Sequence, residues 1–244
     1  MSVSLRCYST SLGCPKNRVD TERLLGSLGV ALVPVESPDE AELVFINTCA
    51  FIQPATEESV RTIAQAIADI EELPKRPLLA VAGCLVGRYH AEDLAPELPE
   101  VDLWLDNSDL EAWPAMLARK LGLPEPTVPG RILSTGPSYA WLKISDGCRH
   151  ACSFCAIPNI RGGHRSHCKD MIVREARALL DQGVKELNLV AQDLTEWGCD
   201  LDGKQDLRTL LDGLLPLPGL ERLRLMYLYP AGMTHEMLKY LREA

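Results

Sequence analysis

Gly147-Cys148-Arg149-His150-Ala151-Cys152-Ser153-Phe154-Cys155 sets three cysteines at C-x-x-x-C-x-x-C. Packing alone gives no reason for three thiols this close together. In a reduced compartment such thiolates hold a metal, because unbound they repel, oxidise or pair. Three ligands are one short of a closed zinc site and one short of a fully ligated iron–sulfur cube. A cube held by three thiolates keeps one iron open to another ligand. The rival is a Cys3His zinc site completed by His150, His164 or His167. His150 lies inside the loop, and His164 and His167 flank Arg165 in a basic stretch suited to an anionic ligand or to solvent. None of the three is placed in the site.

Outward from the loop, strand and helix patterns alternate. A strand is predicted over 139–145, directly before the first cysteine. Helix 170–182 stops at Gly183, strand 185–191 runs into Gln192-Asp193, and helix 207–215, strand 222–229 and helix 234–242 follow. These are three βα units, the beginning of a parallel barrel whose sites lie at the C-terminal ends of its strands.

The first half of the chain has the same rhythm. Strands are expected near 4–9, at 43–46, 78–82 and 101–105, and helices at 19–28, with Asn17 or Asp20 as N-cap, at 56–73 and at 108–121, with a helical piece near Tyr89. The pattern predicts a doubly wound parallel α/β domain. Cys14, Cys49 and Cys84 each follow the C-terminal end of a strand, 35 residues apart in both steps. Those ends share one edge of an open parallel sheet, where ligands bind. Three unrelated buried thiols are the plain alternative. Gly-Cys or Thr-Cys at all three strand ends favours a second cluster. The expected organisation is a cluster-binding domain over 1–122, a linker over 123–138 rich in proline and glycine, and a second domain over 139–244.

The chain has 244 residues and is 46% hydrophobic and 24% charged, values of a soluble globular protein with room for two cores. The start, Met1 to Arg6, has no basic-then-apolar leader pattern, and the apolar run 78–86 is too short to span a bilayer. The expectation is a cytoplasmic protein whose nine cysteines serve metal chemistry and not disulfides. The net charge of −9 is uneven: residues 1–130 carry −10 and the rest +1.

The three-cysteine loop at the end of a first barrel strand resembles the radical-SAM superfamily. Leu12-Gly13-Cys14-Pro15-Lys16-Asn17, Asn47-Thr48-Cys49-Ala50-Phe51-Ile52, Gly83-Cys84-Leu85 and Ser145-Asp146-Gly147-Cys148 together resemble its methylthiotransferase family. The resemblance runs from near residue 5 to the end of the chain. It implies two 4Fe–4S clusters, one on Cys148, Cys152 and Cys155 and one on Cys14, Cys49 and Cys84. S-adenosylmethionine would bind the open iron of the first, with Gln192 and Asp193 near its amino group and Phe154 beside the cluster. No side chain is singled out as catalytic. Cys7, Cys168 and Cys199 match no motif and read as structural or surface thiols.

The segments 12–17, 190–193 and 227–230 are most like the branch that adds a methylthio group to the β-carbon of an aspartate in the twelfth protein of the small ribosomal subunit. The alternative is the sister branch acting on an adenosine of transfer RNA. The acidic first half favours a basic ribosomal protein over nucleic acid. Members of the family continue through about three more barrel strands and a small β-barrel domain (TRAM). The resemblance thus predicts a shortened chain, with an exposed sheet edge near Tyr227, that holds clusters with little or no turnover. A cluster-carrying fragment without enzymatic activity is the remaining reading.

Overall fold

Every residue from Leu43 to Thr48 is buried, which marks the centre of the first sheet. The computed structural model describes residues 4–203 and 205–243, so residues 1–3 of the expected leaderless start lie outside it. Contacts divide the chain into two compact units, one of residues up to 132 with 159–161, the other of 133–158 and 162 onward.

In the first unit the strands are β1 (Ser4–Ser11), β2 (Ala31–Pro34), β3 (Leu43–Thr48), β4 (Leu78–Gly83) and β5 (Leu103–Leu105). All pairings are parallel, in the order β2-β1-β3-β4-β5. This is the flavodoxin-like order, with its switch point between β1 and β3. The helices are α1 (Pro15–Ser27), α2 (Gln53–Ile70), α3 (Cys84–Tyr89), α4 (Ala91–Leu94) and α5 (Trp113–Leu121). Alternation along the strands sends Leu43, Phe45, Ala80 and Ala82 to one face, where Leu24, Leu25 and Leu28 of α1 and Trp113 and Leu117 of α5 close the core. Buried Ile63, Ala66 and Ile70 give α2 its apolar stripe.

Prolines move three helix starts from their expected places. Pro15, Pro54 and Pro114 each sit in a first turn, where a missing N–H costs nothing. Helix α1 therefore begins at Pro15 with Cys14 as its N-cap residue, and neither Asn17 nor Asp20 caps it. Strand β2 was not foreseen, because its four residues lie at the edge of the sheet and are mostly exposed. From Gly130 to Ile132 the chain lies along α1: Ser27 Oγ bonds Gly130 N at 3.1 Å and Arg131 bonds Glu22 at 2.7 Å.

The second unit is built on β6 (Tyr139–Lys143), β9 (Glu186–Val190) and β10 (Arg222–Leu225), parallel and in the order β10-β9-β6. Between β6 and β9 come β7 (Ser145–Asp146), α6 (Ile157–Arg161), β8 (Arg165–Ser166) and α7 (Lys169–Asp181), with β7 and β8 forming a two-residue antiparallel pair. Helices α8 (Leu207–Leu214) and α9 (His235–Glu243) follow β9 and β10. Ile172, Ala176 and Leu179 of α7 and Leu207, Leu210, Leu211 and Leu214 of α8 join Leu142, Leu187 and Leu189 in one core. The last strand ends at Leu225, earlier than expected. Tyr227 has φ +69°, and its carbonyl accepts from Leu194 N at 3.1 Å, so the chain turns out of the sheet there. Among the described residues no helix is long and apolar enough to cross a membrane.

Candidate functional site

Cys14, Cys49 and Cys84 follow the ends of β1, β3 and β4, and the fold gathers them around one side chain, Asn17. Asn17 Oδ1 accepts from Cys14 Sγ at 3.6 Å and from Cys84 Sγ at 3.8 Å. Its amide Nδ2 donates to Thr48 O at 2.6 Å and to Leu12 O at 3.2 Å, which fixes its orientation. Thr48 ties the next strand, accepting from Leu85 N and donating to Ala82 O. Ser59 of α2 clamps Cys49 by accepting from its N–H at 3.0 Å and donating to its carbonyl at 2.7 Å. Gly13 has φ +86°, and a Cβ there would stand 2.8 Å from Cys49 Sγ. Glycine is needed for both conformation and space.

Arg161, in the three-residue stretch that belongs to this unit, is buried. Its guanidinium donates to Asn17 Oδ1 at 2.5 Å and lies 3.3 Å from Asp20 Oδ2. Burial pushes the Cys49 thiol up, the neighbouring thiols Cys84 and Cys14 add to this, and Arg161 pulls against it. Arg161 opens the basic stretch 161–167, but its partners lie 141 and 144 positions away, so no local pattern points to this role.

In the second unit, Cys148, Cys152 and Cys155 lie in the loop after β7. Gly147 turns the chain into the loop with φ +65°, its Cα packed against the backbone of Gly162 and Gly163. Cys148 N bonds Gly162 O at 3.2 Å, Cys155 N bonds Cys152 O at 3.0 Å, and Cys148 Sγ accepts from His150 N at 3.4 Å. Burial pushes the Cys148 thiol up, and Cys155 and Cys152 push it further. Phe154 is 89% exposed, so it does not pack beneath the loop.

Gln192 and Asp193 follow β9, level with Ser145 on the neighbouring strand, since Lys143 pairs with Val190. Asp193 is buried and accepts from Thr195 N at 2.9 Å. Its other oxygen lies 2.8 Å from His150 Nε2, and Arg149 reaches Glu196 at 2.5 Å, so two residues of the cysteine loop are tied to the end of β9. Burial pushes the Asp193 carboxyl up, but the hydrogen bonds from His150 and Thr195 outweigh it and hold it below its ordinary value. His150, left out by sequence reasoning, is therefore an orienting group. Lys143, only 1% exposed, is also new: it pairs with Asp146 at 2.9 Å, which His167 meets at 3.3 Å.

The donor sets discriminate between metals. One tetrahedral zinc, about 2.3 Å from each sulfur, needs sulfurs about 3.8 Å apart, whereas a cube spreads its thiolates over separate irons. Among the described residues neither cysteine trio has all its sulfurs within 4.8 Å of one another. Three thiolates with no fourth donor suit a cluster with one open iron better than a closed zinc site. For the ligand of an open iron, buried Gln192 Oε1 and Ser145 Oγ have no hydrogen-bond partner among the described residues. Both are at the strand ends beside the cysteine loop and suit an ammonium or other polar ligand.

Residues 6–106 match a family described as uncharacterized protein family UPF0004, and residues 142–244 match the radical SAM superfamily. A relative from Nitratidesulfovibrio vulgaris, strain Hildenborough, named ribosomal protein uS12 methylthiotransferase RimO, is 68% identical over 97% of this chain and 55% of its own length. Relatives of the same name from Lawsonia intracellularis and Aquifex aeolicus are 59% and 47% identical over 99% and 95% of the chain and 55% and 51% of their own lengths. The chain thus spans about half the length of these curated relatives. Among solved structures, the radical S-adenosylmethionine methyltransferase TsrM from Kitasatospora setae superposes with a TM-score of 0.62 at 13% identity, over 99% of this chain and 59% of that one. That likeness shows the fold alone. The chain thus joins a domain that matches UPF0004 to one that matches the radical SAM superfamily, in that order, and along nearly its whole length it is similar to relatives named as methylthiotransferases.

Proposed function

We propose that this chain is the cluster-binding part of a methylthiotransferase that modifies the β-carbon of an aspartate in ribosomal protein uS12. The observation that carries the reading is the 68% identity to a relative of that name, which extends through both domains. Cys148, Cys152 and Cys155 would hold one 4Fe–4S cluster, and Cys14, Cys49 and Cys84 a second. With S-adenosylmethionine at its open iron, the first cluster would supply one-electron, radical chemistry at an unactivated carbon.

The chain's own residues do the positioning. Gly147 and Gly162 set the path of the cysteine loop. His150 and Arg149 hold it to Asp193 and Glu196, so the loop and the end of β9 keep a fixed relation. Gln192 Oε1 would accept from the ammonium of the cofactor, with the Asp193 carboxylate beside it. Asn17 orients Cys14 and Cys84, and Arg161 offsets negative charge at the second trio. The acidic balance of residues 1–130 suits a basic protein substrate better than transfer RNA. A ribosomal protein substrate puts this activity in the cytoplasm.

The test is anaerobic reconstitution followed by iron and sulfide analysis, then incubation with excess S-adenosylmethionine, sulfide as the sulfur source, a reductant and purified uS12. Two cubes predict about eight irons per chain. A mass gain of one methylthio group on the uS12 aspartate supports the assignment. The same gain on a transfer-RNA adenosine, with none on uS12, moves it to the sister activity. Zinc in place of iron ends it.

A further inference from the structure

His164, Cys199 and Asp200 present one ligand atom each, all within 4.8 Å of one another, and none of them belongs to either cysteine trio. His164 stands beside β8, and Cys199 and Asp200 lie in the loop beyond Asp193. We propose that these three residues form a separate binding site for a single zinc ion, with water completing the shell.

The geometry is that of a prepared site. Asp200 Oδ2 accepts from Ser166 N at 2.8 Å, which fixes the carboxylate and leaves Oδ1 at 3.5 Å from His164 Nε2. That separation is too long for a direct hydrogen bond. It matches the edge of a tetrahedron with metal–ligand bonds of about 2.0–2.1 Å, which is about 3.3–3.4 Å. Ser166 Oγ accepts from Gly198 N at 2.9 Å and lies 3.0 Å from His164 Nε2. Ser166 thus holds the loop, and its contact with His164 Nε2 is the one a metal ion at that nitrogen would replace. The His164 side chain is only 3% exposed, whereas Cys199 is open to solvent, so an ion can enter from the cysteine side. Imidazole, thiolate and carboxylate together, with an open fourth position, are a donor set suited to zinc. On binding, the thiol proton of Cys199 leaves to solvent and a zinc–sulfur bond forms, with no change in oxidation state. A bound ion would lock the segment after the cysteine loop to the loop beyond Asp193.

The experiment uses the full chain loaded anaerobically with its iron–sulfur clusters, with added zinc sulfate followed by desalting. Metal content is measured together with peptide-resolved alkylation of Cys199, and exposed Cys168 serves as internal reference. The expected result is one retained zinc per chain, unchanged iron, and Cys199 alkylation lowered at least about tenfold while Cys168 is unaffected, as for a site held well above its dissociation constant. Cys199→Ser, a change at an exposed position, should abolish zinc retention and leave iron intact, and His164→Gln should do the same where it folds. Equal alkylation of Cys199 with and without zinc overturns the proposal. So does zinc that persists in Cys199→Ser or enters only as iron is lost.

Discussion

Asn17 joins three strand ends by side-chain bonds to Leu12, Thr48, Cys14 and Cys84. Asn17→Ala leaves the buried Thr48 carbonyl without its 2.6 Å donor, and an orphaned buried group costs about 1–3 kcal/mol. Chemical denaturation should show that loss, and the reconstituted variant should bind less iron. A stability unchanged from wild type would show that Asn17 is dispensable. Gly147→Ala acts differently. Its φ of +65° is unfavourable for alanine, and the added methyl would meet the Gly162 and Gly163 backbone. The expected outcome is loss of the cluster on Cys148, Cys152 and Cys155, about half the iron, with the other trio still loaded. Full iron content in Gly147→Ala would remove the argument. Among residues without a motif, burial pushes Cys7 up to about 12, so it should resist alkylation in the folded protein.

At the scale of elements, the decisive join is between the cysteine loop and the end of β9. The cysteines were legible because their spacing is local and each follows a strand that its own apolar run announces. The His150–Asp193 contact was not, because it spans 43 positions and depends on the register of β6 against β9. Likewise β2 escaped notice because an exposed edge strand lacks a buried face to pattern it. The join has a pH signature. The folded Asp193 carboxyl lies below its ordinary value of 3.8, so its contribution is fully present above that value and is lost as pH falls through the lower folded one. Asp193→Asn should therefore be less stable than wild type at neutral pH. The difference should shrink below pH 3.8, as followed by denaturant unfolding across pH. A difference that does not change with pH would mean that the carboxylate charge plays no part.

For the whole molecule, each unit joins a parallel sheet to a cysteine trio, one cysteine after each of three strands in the first unit and all three in one loop in the second. The alternation of strand and helix announced both sheets, and the strand order that gathers Cys14, Cys49 and Cys84 appeared only when β1, β3 and β4 were seen side by side. Each trio draws its supports from its own unit. Asn17, Ser59 and Arg161 serve one, and Gly147, Gly162, His150 and Asp193 serve the other. With no shared support, the two trios should load independently. The two triple variants, Cys14, Cys49 and Cys84 to alanine and Cys148, Cys152 and Cys155 to alanine, should each retain about half the iron, roughly four per chain. Far-UV circular dichroism should remain that of wild type in both, since the sheets rest on apolar cores and not on the thiols. Loss of all iron from either variant would show that one cluster requires the other.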